Sequence, residues 1–147
     1  MCACAYACVH THAQAIKSLD GLSGLGLRQL RISNCKKLTN YDGLKTLTLL
    51  EDLSIHESFM SFEDSTKIPR FTDTKALSNM LCLRSLKLHG SSITNVNGIA
   101  ALSQLREVDL RYCGALTDIC GLTLSRDLEM VDLSYCNALS TAVGALA

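Results

Sequence analysis

Residues 105–122 read LREVDLRYCGALTDICGL, and from Leu128 nearly the same string returns as LEMVDLSYCNALSTAVGA. Earlier copies are LRQLRISNCKKLTNYDGL from Leu27 and LRSLKLHGSSITNVNGI from Leu83, with an interrupted copy from Leu50. The copies start at residues 27, 50, 83, 105 and 128, in steps of 23, 33, 22 and 23. A step this constant marks an array in which each unit buries its apolar face against its neighbours. The unit is L-x-x-L-x-L-x-x-C/S-x-x-L-T-N/D-h-x-G-L-x-x-L, where h is apolar.

The L-x-L core alternates apolar and variable residues, which is the periodicity of a strand with one buried face. Strands are predicted around Leu30–Ile32, Leu53–Ile55, Leu86–Leu88, Val108–Leu110 and Val131–Leu133. Each should run parallel to the next, about 4.8 Å away. After the Cys/Ser slot an inward Leu38, Phe71, Ile93, Leu116 or Leu139 is expected, then a turn at Gly43, Ala76, Gly98, Gly121 or Gly144. Asp42 or Asn97 before the glycine suits a tight turn. A short helical segment should close each coil, with Ile99, Leu102 and Leu105 facing the strands.

These boundaries divide the chain into a low-complexity tail, 1–15, and one repeat domain, 16–147. The domain holds a partial repeat 16–26 and repeats 27–49, 50–82, 83–104, 105–127 and 128–147. Repeat 50–82 carries an insertion, 59–70, whose Phe59, Met60, Phe62 and Ile68 are apolar for a surface loop. No polar cap is evident at either end, so end-to-end self-association through uncapped repeats is an expectation.

With 147 residues, 48% hydrophobic and 19% charged, the chain can bury a substantial core. Fourteen basic residues balance fourteen acidic ones. That balance leaves no phosphate-neutralising surface, so nucleic acid is not an expected partner. No apolar run approaches the ~18 residues of a membrane span, so no membrane insertion is expected. Eight cysteines are enough for a disulfide framework, but Cys35, Cys113 and Cys136 share one slot with Ser58 and Ser91. A slot open to Cys and Ser alike calls for a small buried side chain beside the backbone. Free thiols and an intracellular, cytoplasmic setting follow.

Residues 1–13, MCACAYACVHTHA, alternate strictly between two codon classes, as a translated dinucleotide tract would. Cys2, Cys4, Cys8, His10 and His12 are soft-metal ligands by type, but their spacing matches no usual zinc knuckle. No metal or other cofactor is therefore expected.

Over roughly residues 16–147 the chain resembles the leucine-rich repeat family. The family signature L-x-x-L-x-L-x-x-N/C is matched at Leu27/Leu30/Ile32/Cys35, Leu105/Val108/Leu110/Cys113 and Leu128/Val131/Leu133/Cys136. The step looks like that of internalins and phosphatase-regulating proteins, and the cysteine slot like that of ubiquitin-ligase substrate adaptors. The resemblance implies an α/β solenoid, a right-handed coil with a curved parallel sheet on its concave side and short helices or turns on the convex side. It also implies a non-catalytic module that binds a protein on the concave face. The alternatives are a substrate-recognition arm of a ubiquitin-ligase-type assembly, or a structural piece of a longer array without its own ligand.

Stacking the strands lines up three concave columns. The first is Gln29, Asp52, Ser85, Glu107, Met130; the central one is Arg31, Ser54, Lys87, Asp109, Asp132; the third is Ser33, His56, His89, Arg111, Ser134. Asn34, Glu57, Gly90, Tyr112 and Tyr135 flank the third. The central column runs from basic to acidic, and the Tyr112–Tyr135 pair offers stiff contact area. Candidate partner-binding residues are therefore Arg31, Asp52, His56, Lys87, His89, Glu107, Asp109, Arg111, Tyr112, Asp132 and Tyr135. His56 and His89, with Asp52 and Glu57 near in sequence, also have the residue types of acid–base or metal chemistry. They lack a nucleophile, a phosphate loop and a third ligand, so no catalytic residue is expected.

Overall fold

The computed structural model describes residues 6–9, 16–57, 70–123 and 125–139. Six parallel strands lie side by side in chain order: β1 (Tyr6–Val9), β2 (Gln29–Ser33), β3 (Asp52–His56), β4 (Ser85–His89), β5 (Glu107–Asp109) and β6 (Met130–Asp132). The register steps by one repeat at each pairing, so Leu30, Leu53, Leu86, Val108 and Val131 fall in one row. Each sequence repeat is thus one coil of a leucine-rich repeat solenoid. Among the described residues no helix is long and apolar enough to cross a membrane.

Five strands form where the alternation places them, because the L-x-L leucines can leave water only by facing inward. Leu30, Leu53, Leu86 and Val108 are fully buried. Strands β5 and β6 stop one residue short of the expected Leu110 and Leu133. There the carboxylates of Asp109 and Asp132 accept the backbone N–H two residues on, at 3.2 and 2.9 Å, and bend the chain, although Leu110 and Tyr112 still donate to Asp132 and Ser134 of the next coil.

β1 is a correction. It lies inside the stretch expected to be a tail, yet its backbone pairs with β2 from Tyr6↔Gln29 to Val9↔Ile32. Strand addition needs only backbone donors and acceptors opposite an open edge, which β2 supplies, so missing leucines did not prevent it. The candidate ligands Cys2, Cys4, Cys8, His10 and His12, the insertion up to Pro69, and residues 140–147 lie outside what can be described side chain by side chain.

The convex segments are 3-10 turns: Asp20–Leu22, Asp42–Thr46, Thr74–Leu77, Asn97–Ile99 and Cys120–Leu122. Their apolar residues recur every third position, the period of a 3-10 helix. Leu44, Leu47 and Leu50, then Leu77, Met80 and Leu83, then Ile99, Leu102 and Leu105 are buried and linked by i+3→i backbone bonds. In the next coil Ser125 takes the place of Leu47, Met80 and Leu102. It is buried, and its hydroxyl has no hydrogen-bond partner.

The turn glycines correct a second expectation. None of Gly43, Gly98 and Gly121 has a positive φ, so turn conformation does not require them. Instead, a Cβ on Gly43 would stand 2.0 Å from the Leu19 carbonyl oxygen, and one on Gly98 2.2 Å from the Thr74 carbonyl carbon. These glycines let one coil's backbone rest on the next.

At three positions, Ser91, Cys113 and Cys136, the Cys/Ser slot holds the small buried donor its composition suggests, whereas Cys35 is only half-buried and Ser58 lies outside the described residues. The thiols of Cys113 and Cys136 donate to the Leu88 and Leu110 carbonyls of the preceding coil, each at 3.0 Å, and the Ser91 hydroxyl donates to Leu88 at 3.1 Å. Burial pushes the Cys113 thiol up to about 11, so it is a structural hydrogen-bond donor and a poor nucleophile. Cys35, Cys82, Cys113, Cys120 and Cys136 are all free thiols.

Candidate partner-binding face

Strand pairing brings the central column together as Arg31↔Ser54↔Lys87↔Asp109↔Asp132, one residue per coil. The first column pairs likewise from Gln29 through Asp52, Ser85 and Glu107 to Met130, and His56 sits directly opposite His89. The candidate residues therefore share one surface, but they do not contribute equally.

At the early end, Arg31 is exposed and Asp52 half-buried, and neither enters an ion pair among the described residues. In the middle, Glu107 binds Lys87 at 2.8 Å with one oxygen and the Ser85 hydroxyl at 2.9 Å with the other. The hydrogen bond from Lys87 is the main reason that the Glu107 carboxyl sits below its ordinary range.

The later coils carry a connected network centred on Asp109. This carboxylate is 5% exposed. It accepts two parallel bonds from Arg111, Nε at 3.0 Å and Nη2 at 2.8 Å, and lies 2.6 Å from His89 Nε2. Burial alone would raise its pKa; the bonds from Arg111 and His89 outweigh that and hold it below the usual range. Arg111 also reaches Asp132 at 3.5 Å. His89 Nδ1 faces His56 Nδ1 at 3.2 Å. Partial burial, with the neighbouring His89 and Arg111, lowers the pKa of His56 and favours its neutral imidazole near pH 7. Buried as it is, Asp109 cannot meet a partner directly; it sets the orientation of Arg111 and His89.

Glu57 turns away from the histidines. Its carboxylate accepts the Phe71 N–H at 2.8 Å and the Tyr41 hydroxyl at 3.3 Å, while its other oxygen is buried without a partner. Desolvation raises its pKa to about 7 despite those bonds. Tyr41 and Phe71 pack edge-to-face beside it, with ring centres 5.0 Å apart. Glu57 thus fastens the two ends of the insertion, Phe71 being the residue at which the repeat resumes.

Tyr112 and Tyr135 lie flat against each other, with ring centres 4.6 Å apart and planes 1° from parallel. They are 42% and 65% exposed. Both have a φ of 63°, in the left-handed region, as do Asn34 (52°) and Gly90 (70°) at the same position of earlier coils. Asn and Gly adopt that conformation readily, whereas a bulky aromatic does so against its preference. The register of Asn34 and Gly90 was the sequence signal for this geometry. Nothing comparable announced the burial of Asp109, since aspartate in a concave column reads as solvent-facing.

Neither protein-family models nor curated proteins yield a match to this chain. Among solved structures it is similar to an internalin (inlF) from Listeria monocytogenes, at 21% sequence identity and a TM-score of 0.45. The alignment covers 78% of this chain and 43% of that one, so this chain spans less than half the length of that internalin.

Proposed function

We propose that this chain is a non-catalytic protein-interaction module that takes a protein segment along its concave face, anchored on the Tyr112–Tyr135 pair. The observation that carries this reading is the pair itself: two tyrosines, stacked, solvent-exposed and both in a left-handed backbone conformation. Such a conformation costs about 1–3 kcal/mol per residue. The coil does not need tyrosine there, because Gly90 and Asn34 serve the same slot. A rigid aromatic surface loses little entropy on binding and is a frequent interface anchor.

Charge supplies direction. Arg111 and Asp132 border the tyrosines, the Lys87–Glu107 pair lies mid-face, and exposed Arg31 stands towards the far edge. A segment with a basic group over Asp132 and an acidic one towards Arg31 complements this layout. His56 and His89 face each other in the third column of the same face, and Asp52 lies in the first.

The test is capture by the full chain from an extract of its own cells, with chemical cross-linking to locate the contact. Tyr112→Ser/Tyr135→Ser and Asp132→Lys should each reduce recovery of the partner at least tenfold. Lys45→Glu, on the convex side, should leave it unchanged. A partner recovered equally well by the tyrosine double variant would refute the reading.

A further inference from the structure

We propose that His56 and His89 together bind a first-row divalent transition ion of the zinc, nickel and copper class on the concave face. Their Nδ1 atoms approach to 3.2 Å, and their ring centres lie 5.2 Å apart. Two imidazoles on a tetrahedral zinc, with Zn–N of about 2.0–2.1 Å, have their nitrogens about 3.3 Å and their ring centres about 5.2 Å apart. A straight N–H···N hydrogen bond of the observed length would instead hold the ring centres about 5.5 Å apart. The rings are tilted 60° to each other, and their centres are closer than a straight hydrogen bond of that length would hold them.

The tautomers fit as well. Asp109 Oδ2 at 2.6 Å from His89 Nε2 keeps the proton on that nitrogen and leaves the Nδ1 lone pair free. A carboxylate behind a ligating histidine is the usual outer support of a metal ligand. Arg111 Nη2 lies 3.2 Å from the same Nε2, but it is bound to Asp109 at 2.8 Å, on the side away from Nδ1. With that tautomer His89 Nδ1 can accept a hydrogen bond from His56 Nδ1–H across the 3.2 Å between them. On binding the ion, His56 carries that proton on its Nε2 instead, which leaves both Nδ1 lone pairs to the metal. Asp109 and Asp132 more than balance the charge of Arg111.

Imidazole ligands select zinc, nickel and copper over magnesium and calcium. Among the described residues no third His, Cys, Asp or Glu joins the pair, so the remaining positions of the ion are left to water and its binding is exchangeable. The carboxylate that matters is Asp109, 20 residues beyond His89 in the next coil, and neither Asp52 nor Glu57.

The full chain, with its histidine ring nitrogens isotopically labelled, is titrated with zinc chloride under thiol-protecting reductant and followed by NMR. Magnesium chloride serves as the control. The rings of His56 and His89 should shift together at one midpoint, distinct from any response of His10 and His12, while magnesium moves neither. His56→Gln, at an exposed position that leaves the coil intact, should weaken the His89 response at least tenfold. Asp109→Asn should weaken both by about 10- to 100-fold. If neither ring shifts below millimolar zinc, or if His89 responds at an unchanged midpoint in His56→Gln, the site does not exist.

Discussion

At the turn that opens each convex segment, Ser18, Asn40, Asp73, Asn95 and Asp118 all do the same thing. Each side-chain oxygen accepts the backbone N–H two residues ahead, at distances from 2.8 to 3.1 Å. At the exit from each strand, by contrast, one position is filled by Asn34, Glu57, Gly90, Tyr112 and Tyr135 in turn. The convex turn lies against the backbone of the preceding coil, as the glycine contacts show. Its residues have one job and few substitutes. At the strand exit four of the five, Asn34, Gly90, Tyr112 and Tyr135, share a left-handed backbone conformation, but the side chain varies from coil to coil. Uniformity there is lost, and the chain places an aromatic stack, a buried carboxylate and a glycine in equivalent positions. Repetition thus marks what the stack requires, and departure from it marks what the stack leaves free for other purposes.

The largest effect expected of this contrast is on the convex side. Gly98→Ala places a methyl 2.2 Å from the Thr74 backbone, and since no flexible side chain can yield there, it should destabilise by about 3 kcal/mol. Urea denaturation would show it. A loss under 1 kcal/mol would mean that the coils are looser than the contact implies.

Glu57, the odd member of the strand-exit column, should govern the pH dependence of stability. Its carboxyl is raised from the ordinary glutamate range to about 7, chiefly by burial. The folded chain therefore holds a proton that the unfolded chain has released, and stability falls as pH rises through that window. The full swing is about 3 kcal/mol. Glu57→Gln should flatten the curve and exceed wild type by about 2 kcal/mol at pH 8. Parallel wild-type and variant curves between pH 5 and 8 would assign the dependence elsewhere.

The smallest stability change is expected where function is proposed. Tyr112→Asn relieves about 1 kcal/mol of left-handed strain and forfeits a stacking interaction worth about 0.5–1.5 kcal/mol. The net change should stay within about 0.5 kcal/mol by thermal denaturation. A loss above 2 kcal/mol would make the tyrosine pair part of the coil's own framework.

Much of this contrast could be read before any coordinates. The repeat phase located β2 to β6 within a residue or two, and the columns through Arg31, Lys87 and Asp132 and through His56 and His89 follow from that phase alone. The Cys/Ser alternation pointed to a small buried donor, which Cys113, Cys136 and Ser91 are. Three things were not legible. β1 formed without leucines because a parallel strand is held by backbone groups that every residue carries. Gly98 reads in the sequence as a turn glycine because a close approach between coils leaves no local trace. Asp109 looked solvent-facing because its burial is made by His89 and Arg111, one from the preceding coil and one from the bend after β5.

By itself, then, the sequence determined the stack and its register, since apolar spacing of this regularity has one economical way of leaving water. It also determined which side chains share the concave face. Only the tertiary structure decided which of those are available. Asp109 is covered, Lys87 is paired, Arg31 stands open, and two histidines and two tyrosines meet across coils. The reason is range. Periodicity acts through neighbours along the chain, whereas burial, ion pairing and ring stacking depend on atoms 20 or more residues apart arriving within about 3–5 Å of one another.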